Sequence, residues 1–425
     1  MNSTRLRAFI LFVIALAVYT APQTFNALVT PFFHVIPAQD VVSTSLVPVS
    51  LLTRGNLYLD QYRVFVKNNY PQPYFVAEVR NHLVSRYPIA AGMLALPLMG
   101  WGLGTGWIAR TVYVFDVAKF AATVITALTV VAFFFCAREL TDLSTSAWAA
   151  VAFAFGTSVW STASQGLWQH TPSILFQSLA FWFLLRGQRA GGRALAPAGF
   201  FLSLAVVARP TNLVTALIFA LYVLIYYRAA VPRFILWTLP PLALFLLYNY
   251  IINGSPFIAG YQEGLLQDFG LPQWITLQGL LVSPSRGLFF FSPFLLLAPV
   301  GLAMGWRGER KPFYAFLALA FVAYTALMAS WNSLGGWSYG ARMLTDALPA
   351  ICLLTIPAVE KIRGKWRGAL WGITFLAAVA QSLGLFDYGL RFFADLANNE
   401  WSIQNGEAIF YAKFYISTIR QALGL

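Results

Sequence analysis

Apolar stretches long enough to cross a lipid bilayer recur along almost the whole chain, which points to a bundle of membrane-spanning helices. Of its 425 residues, 59% are hydrophobic and only 10% are charged, and the mean hydropathy is +0.67. That composition lies well outside the range of a soluble domain. The stretches expected to span are roughly 8–29, 109–136, 146–163, 171–187, 194–209, 211–227, 232–252, 288–306, 312–331, 342–359 and 368–387, eleven in all. The first is long for a signal-peptide core and follows Arg5 and Arg7, so we read it as an uncleaved helix, with cleavage near Ala21 as the alternative. No internal repeat or low-complexity linker interrupts the chain. One all-α polytopic membrane domain, residues 1–387, is expected, followed by a tail, 388–425.

The formal charge of +13 does not point to nucleic acid, because the basic residues fall in short loops between the apolar stretches. Arg186/Arg189/Arg193, Arg228/Arg233, Arg307/Arg310/Lys311 and Lys361/Arg363/Lys365/Arg367, with Arg5/Arg7 and Arg138, belong on the cytoplasmic side. This holds only if the apolar stretch 88–104 does not span. It is short, holds Gly92, Pro97, Gly100 and Gly102, and ends in Trp101 and, just beyond, Trp107, so we expect a helix at the outer surface. The N-terminus is then inside and the tail outside.

The polar segments consequently collect on one face: the first loop (30–108), the 164–170 turn, the 253–287 loop, the 332–341 turn and the tail. They carry His34, His82 and His170 and most carboxylates, among them Asp40, Asp60, Glu78, Glu263, Asp268, Asp395, Glu400 and Glu407. Ionisable groups kept in so apolar a chain mark contact with water, ions or a polar substrate. No Gly-rich phosphate cradle or nucleotide-binding motif is present, so energy for a reaction has to arrive with the substrate. Cys136 and Cys352 form neither a disulfide framework nor a metal-ligand spacing.

The segment QDVVSTSLVPVSLLTRGNLYLDQY (39–62) resembles the first outer loop of GT-C glycosyltransferases, in the family 39-like branch of protein O-mannosyltransferases and aminoarabinose transferases. SRYPIAAGMLALP (85–97) is similar to that branch's second loop signature, and ARELTDLSTSAWAA (137–150) resembles its first cytoplasmic turn. GLWQHTP (166–172), VVARPTNL (206–213), SPSRGLFFFSP (283–293) and GGWSYGARMLTDALP (335–349) are similar to segments of bacterial members. The resemblance runs from about residue 8 to 350. It implies transfer of a sugar from a polyprenyl-phosphate donor to a lipid, glycan or protein acceptor outside the cytoplasm of a bacterial plasma membrane.

Such a reaction needs a carboxylate to take the proton of the attacking hydroxyl. The resemblance puts the catalytic Asp at Asp40, whose plainer role would be the N-cap of a helix starting at Val41. The departing phosphate needs fixed donors, a task suited to arginine, and Arg86, Arg209, Arg286 and Arg342 are the candidates. Trp337 and Tyr339 stand beside Arg342, either to stack on a sugar or to sit in an interfacial aromatic belt. His170 is a candidate sugar or phosphate contact, with a satisfied interfacial histidine as the equal alternative. Tyr87 departs from the aminoarabinose branch, which has a phosphate-contacting lysine there; Arg86 is the available substitute. The metal-holding carboxylate pair of some relatives is missing, since Val41 and Val42 follow Asp40, and Asp60 joins Asp40 only if the loop folds back. We expect no obligatory metal or other cofactor. The alternatives of another class are a lipid-linked sugar flippase and a non-catalytic cell-envelope assembly protein. Against the flippase, the halves of the chain do not correspond.

Overall fold

The computed structural model describes residues 3–29, 38–189, 192, 194–257, 269–331, 334–335, 338–385 and 401–422, without the side chains of 25–29, 419 and 422. His34, Glu263, Asp268, Trp337, Asp395 and Glu400 lie outside the described residues. Of the described residues, 76% are helical. In order the helices are α1 (Ser3–Val29), α2 (Gln39–Arg54), α3 (Arg63–Asn69), α4 (Ala90–Gly104), α5 (Thr111–Leu140), α6 (Leu143–Phe155), α7 (His170–Arg189), α8 (Leu195–Ala208) and α9 (Leu213–Tyr226). There follow α10 (Val231–Asn253), α11 (Trp274–Val282), α12 (Leu288–Phe291), α13 (Ala298–Gly305), α14 (Lys311–Ala329), α15 (Leu348–Val359), α16 (Lys365–Ser382) and α17 (Glu407–Ala422). Each of the eleven expected stretches overlaps a helix. Among the described residues, five are long and apolar enough to cross a membrane: Ser3–Thr24, Thr111–Leu140, Arg228–Asn253, Lys311–Ala329 and Arg342–Val359. Pro22, Pro48, Pro97, Pro240, Pro241 and Pro357 lie inside helices, whereas at Pro210 the helix breaks. Arg209, ahead of Pro210, is extended at φ −153° and ends α8.

The chain divides into two compact units. One comprises residues 8–139 and 163–268, the other residues 1–7, 140–162 and 269–425.

In the first unit α5 is 30 residues long, about 45 Å, where roughly 20 residues cross a bilayer. Its amino-terminal half is the post on which the first loop packs. Val114, Val117, Ala118, Ala121, Ala122 and Ile125 share a buried cluster with Val42, Leu46 and Val49 of α2 and Ala91, Ala95 and Met99 of α4. The α2–α4 contact has a local cause. Pro48 has no N–H to give the carbonyl of Thr44 one turn earlier, and Gly92 comes up against that carbonyl so closely that an added Cβ would lie 2.3 Å from it. The 88–104 stretch is a helix, α4, with one side buried on α2. A two-stranded antiparallel hairpin, β1 (Val76–Val79) and β2 (His82–Ser85), joins α3 to α4, with Val76 opposite Ser85 and Val79 opposite His82. Its turn residues Arg80 and Asn81 both have positive φ, 53° and 66°, as a tight hairpin turn requires.

In the second unit α13 packs along α15, and Gly301 lies against the carbonyl of Leu354, where a Cβ would stand at 1.9 Å. The indole of Trp148 on α6, fully buried, donates to Thr374 Oγ1 on α16. Phe269 pairs with Trp331 in an isolated antiparallel bridge that leads into α11.

Candidate functional site

Asp40 stands inside the first turn of α2. The helix starts at Gln39 with Ala38 in the cap position, so Asp40 is not the cap that its residue type suggests. Its Oδ1 accepts hydrogen bonds from the phenols of Tyr87, at 2.7 Å, and Tyr74, at 3.0 Å. The carboxylate is thus held from the hairpin side by two donors that flank β1 and β2. Ser85 Oγ donates to Ser43 Oγ at 2.9 Å and fixes the end of β2 onto α2 one turn from Asp40. Arg86, between Ser85 and Tyr87, is half-buried and makes no side-chain hydrogen bond or ion pair among the described residues.

The same end of α2 leans on the 163–170 turn. Thr44 Oγ1 donates to the Leu167 carbonyl at 2.8 Å, and Val41 packs with Ala38 against Trp168. Two threonines of α5 hold the turn from behind: Thr126 Oγ1 donates to Ala163 O at 3.1 Å and Thr123 Oγ1 to Ser164 O at 3.4 Å. The turn delivers His170 as the first residue of α7, 1% exposed. Arg209 Nη1 meets His170 Nε2 at 2.9 Å, and its Nε donates to Thr211 Oγ1 at 3.1 Å. Because guanidinium has only donors, Nε2 is the acceptor.

Below this pair, Ser173 and Gln177 continue the polar face of α7 at helical spacing. Asn212, 1% exposed, donates to Ser173 Oγ at 2.6 Å and to the Ala205 carbonyl at 3.3 Å, and accepts from Gln177 Nε2 at 3.1 Å. It ties the helix break that carries Arg209 to α7. Sequence reasoning missed Asn212, Ser173 and Gln177, although a His170/Ser173/Gln177 stripe in an apolar helix was a usable signal. Tyr74 had none.

Asp60 forms no carboxylate pair with Asp40. Its Oδ1 takes Arg63 Nη2 and the Leu83 N–H, both at 2.8 Å, and its Oδ2 meets His82 Nδ1 at 2.7 Å. Arg63 extends the network to Glu78 at 3.0 Å, and the His82 ring stacks on Tyr58 at 3.9 Å. Partial burial works against the charge of Asp60, but the bonds from His82, the Leu83 amide and Arg63 outweigh it and hold the carboxyl below its ordinary range. Asp60 is the fastening of the hairpin.

The remaining expected residues belong to the second unit. Arg286 is 0% exposed. Its Nη1 donates to the Ser338 carbonyl and to Glu407 Oε2, the latter at 3.2 Å. Glu407, also 0% exposed, opens α17 and takes the Gly340 N–H at 2.6 Å. Burial pushes its carboxyl up to about 7 against the opposing pull of Arg286 and the Gly340 amide. Truncating one partner of such a pair costs about 3–5 kcal/mol. Glu407 is the functional candidate with least trace in the sequence.

Tyr339, expected to face a sugar or the membrane interface, is 1% exposed. It packs edge-on against Phe291 and Tyr411 while its hydroxyl donates to the Ala380 carbonyl at 2.5 Å, so its ring offers no open face in this conformation. Arg342 begins a tight 3₁₀ turn, Arg342–Ala347, and is 9% exposed. Trp337 falls outside the described residues.

The first unit therefore brings Asp40 and Tyr87 together and joins His170 to Arg209 across the turn on which Asp40's helix rests. Among the described residues no three His, Cys, Asp or Glu side chains gather. No protein-family model matches the chain, and no curated protein matches it.

Proposed function

We propose that this chain is an integral membrane glycosyltransferase of GT-C-like architecture with about eleven spanning helices. It would transfer a sugar from a polyprenyl-phosphate donor to a lipid, glycan or protein acceptor at the outer face of a bacterial plasma membrane. The observation that carries this reading is the Asp40 carboxylate, oriented by two phenols and seated on a helix that leans on the His170–Arg209 turn.

In the reaction, the acceptor hydroxyl oxygen attacks the anomeric carbon and its proton passes to Asp40. The bond from that carbon to the phosphate oxygen breaks, and the lipid phosphate leaves as an anion. Arg209, and Arg86, whose side chain makes no hydrogen bond among the described residues, are suited to meet that charge. Depth supports the same reading. The turn is fastened to α5 at Thr123 and Thr126, about 20 Å along the helix from Thr111. If the last 20 or so residues of α5 span, with Arg138 at the cytoplasmic end, the turn would lie just inside the outer boundary, close to the level of a lipid phosphate. The carboxylate pair typical of metal-holding relatives is absent after Asp40, so charge stabilisation falls to arginine, and chelation is expected to leave transfer unchanged.

The test is Asp40→Asn in proteoliposomes supplied with a polyprenyl-phosphate sugar. Transfer is expected to fall by about 10²-fold or more with donor binding retained. Unchanged transfer removes the catalytic role. Movement of the lipid-linked sugar across the bilayer without transfer supports a flippase instead.

A further inference from the structure

Four buried polar atoms with no hydrogen-bond partner among the described residues gather on three contacting residues of the second unit: Nε and Nη2 of Arg286, Oγ of Ser338 and Oε1 of Glu407. Folded proteins leave few such groups unsatisfied, and a concentration of them calls for a cause. The geometry supplies one. Glu407 and the Ser338 carbonyl both use Nη1, one arm of the guanidinium. Nε and Nη2 form the opposite edge, the one that grips two oxygens of a phosphate or carboxylate in parallel. The Ser338 hydroxyl adds a third donor from a residue already in contact.

We propose that the Nε/Nη2 edge of Arg286 and the Ser338 hydroxyl form a binding site for a phosphate-class anion, closed by α17 and latched by Glu407. Because Arg286 is 0% exposed, the anion enters only when α17 lifts. The latch is built for exchange. Glu407 takes Nη1 and the Gly340 amide through Oε2 alone, leaving Oε1 without a partner, and a partly satisfied buried network is weaker than a complete one. Tyr411 and Tyr415 anchor the same helix, Tyr411 against Tyr339 and Tyr415 through the Leu383 carbonyl at 3.1 Å, so releasing Glu407 frees one end of α17 before the other. An incoming anion and the Glu407 carboxylate compete for one positive charge. The competition eases as pH falls through about 7, where Glu407 takes a proton. Among the described residues, the other charged or titratable groups at the cluster are Arg286 itself and the phenols of Tyr339, Tyr411 and Tyr415.

The site stands within the second unit by itself. Only the identification of its anion with a lipid phosphate rests on the glycosyltransferase reading. The experiment uses the full chain in nanodiscs, with decaprenyl monophosphate and inorganic phosphate as separate probes. It reads binding together with hydrogen exchange of residues 407–422. In the wild type the anion is expected to accelerate exchange in α17. Glu407→Gln, which keeps the shape and removes the competing charge, is expected to bind roughly fivefold tighter or more and to lose the pH dependence near 7. Ser338→Ala, which leaves the latch carbonyl in place, is expected to weaken binding. A purely structural Glu407 would lower stability and leave affinity unchanged. Response to the lipid phosphate where inorganic phosphate has no effect supports the lipid source. Response to both alike supports the site but detaches it from glycosyl transfer, a result distinct from the Asp40→Asn outcome. The proposal is overturned if neither anion changes α17 exchange in the wild type, if Glu407→Gln binds no tighter, or if a solved structure with phosphate present shows only water at the Nε/Nη2 edge.

Discussion

Arg209 Nη1 donates to His170 Nε2 across 2.9 Å, joining the start of α7 to the break between α8 and α9. The same guanidinium reaches Thr211 through Nε, so its plane is set by two contacts at once. A lysine ammonium cannot reproduce that fork. Arg209→Lys is therefore expected to lower kcat/KM for a polyprenyl-phosphate donor by roughly tenfold or more. If Lys supports full activity, only the charge of Arg209 matters, and its orientation by His170 is without consequence.

The two phenols on Asp40 are not equivalent. Tyr74 is 41% exposed, so water can replace its hydroxyl, whereas Tyr87 is better covered and its bond is shorter. Tyr87→Phe is expected to cost about 1 kcal/mol, near fivefold in rate, with a smaller effect from Tyr74→Phe. Single-turnover transfer rates for both variants check the order. The reverse order would mean that Tyr87 serves packing alone.

Asp60 predicts an acid-sensitive hairpin. Its carboxyl is held below the ordinary range in the folded state, so the stabilisation is present above the unfolded value, about 4. It is lost as pH falls further, through the folded value. The Leu83 amide, which donates to Asp60 Oδ1, is expected to lose exchange protection in that window, after correction for intrinsic rates. Asp60→Asn should flatten the dependence, and a hairpin equally protected at pH 5 and pH 3 would refute the assignment.

Two glycines of α4 separate packing from propensity. Gly92→Ala drives a Cβ to within 2.3 Å of the Thr44 carbonyl, while at Gly100 the nearest neighbour is Leu52 Cδ1 at 3.9 Å. The first is expected to destabilise the α2–α4 pair by about 1–3 kcal/mol, and the second to be neutral or slightly stabilising. Thermal melts in detergent, followed by Trp fluorescence, distinguish them. Equal midpoints would mean that the close approach at Gly92 is not needed.

Much of the helical layout was legible in the chain, because a hydrophobic span is a local property. Each expected stretch overlaps a helix, α8 ends at Ala208, two residues before Pro210, and the short, glycine-rich 88–104 segment became a helix packed on α2. The candidate site was legible only in part. Asp40, His170 and Arg209 stand out as polar residues in apolar surroundings. Tyr74 and Glu407 do not, since a tyrosine in a polar loop and a carboxylate in the first turn of a helix are ordinary.

From sequence alone came which segments bury themselves in an apolar medium and which residues are too polar to be there without a partner. Both follow from transfer free energies that each segment carries by itself. Tertiary structure alone decided the partners. Asp40 meets Tyr87 across 47 positions, His170 meets Arg209 across 39, and Arg286 meets Glu407 across 121. No periodicity reports such separations, because hydrogen bonds depend on ångström-scale distance and direction that exist only once the helices have packed.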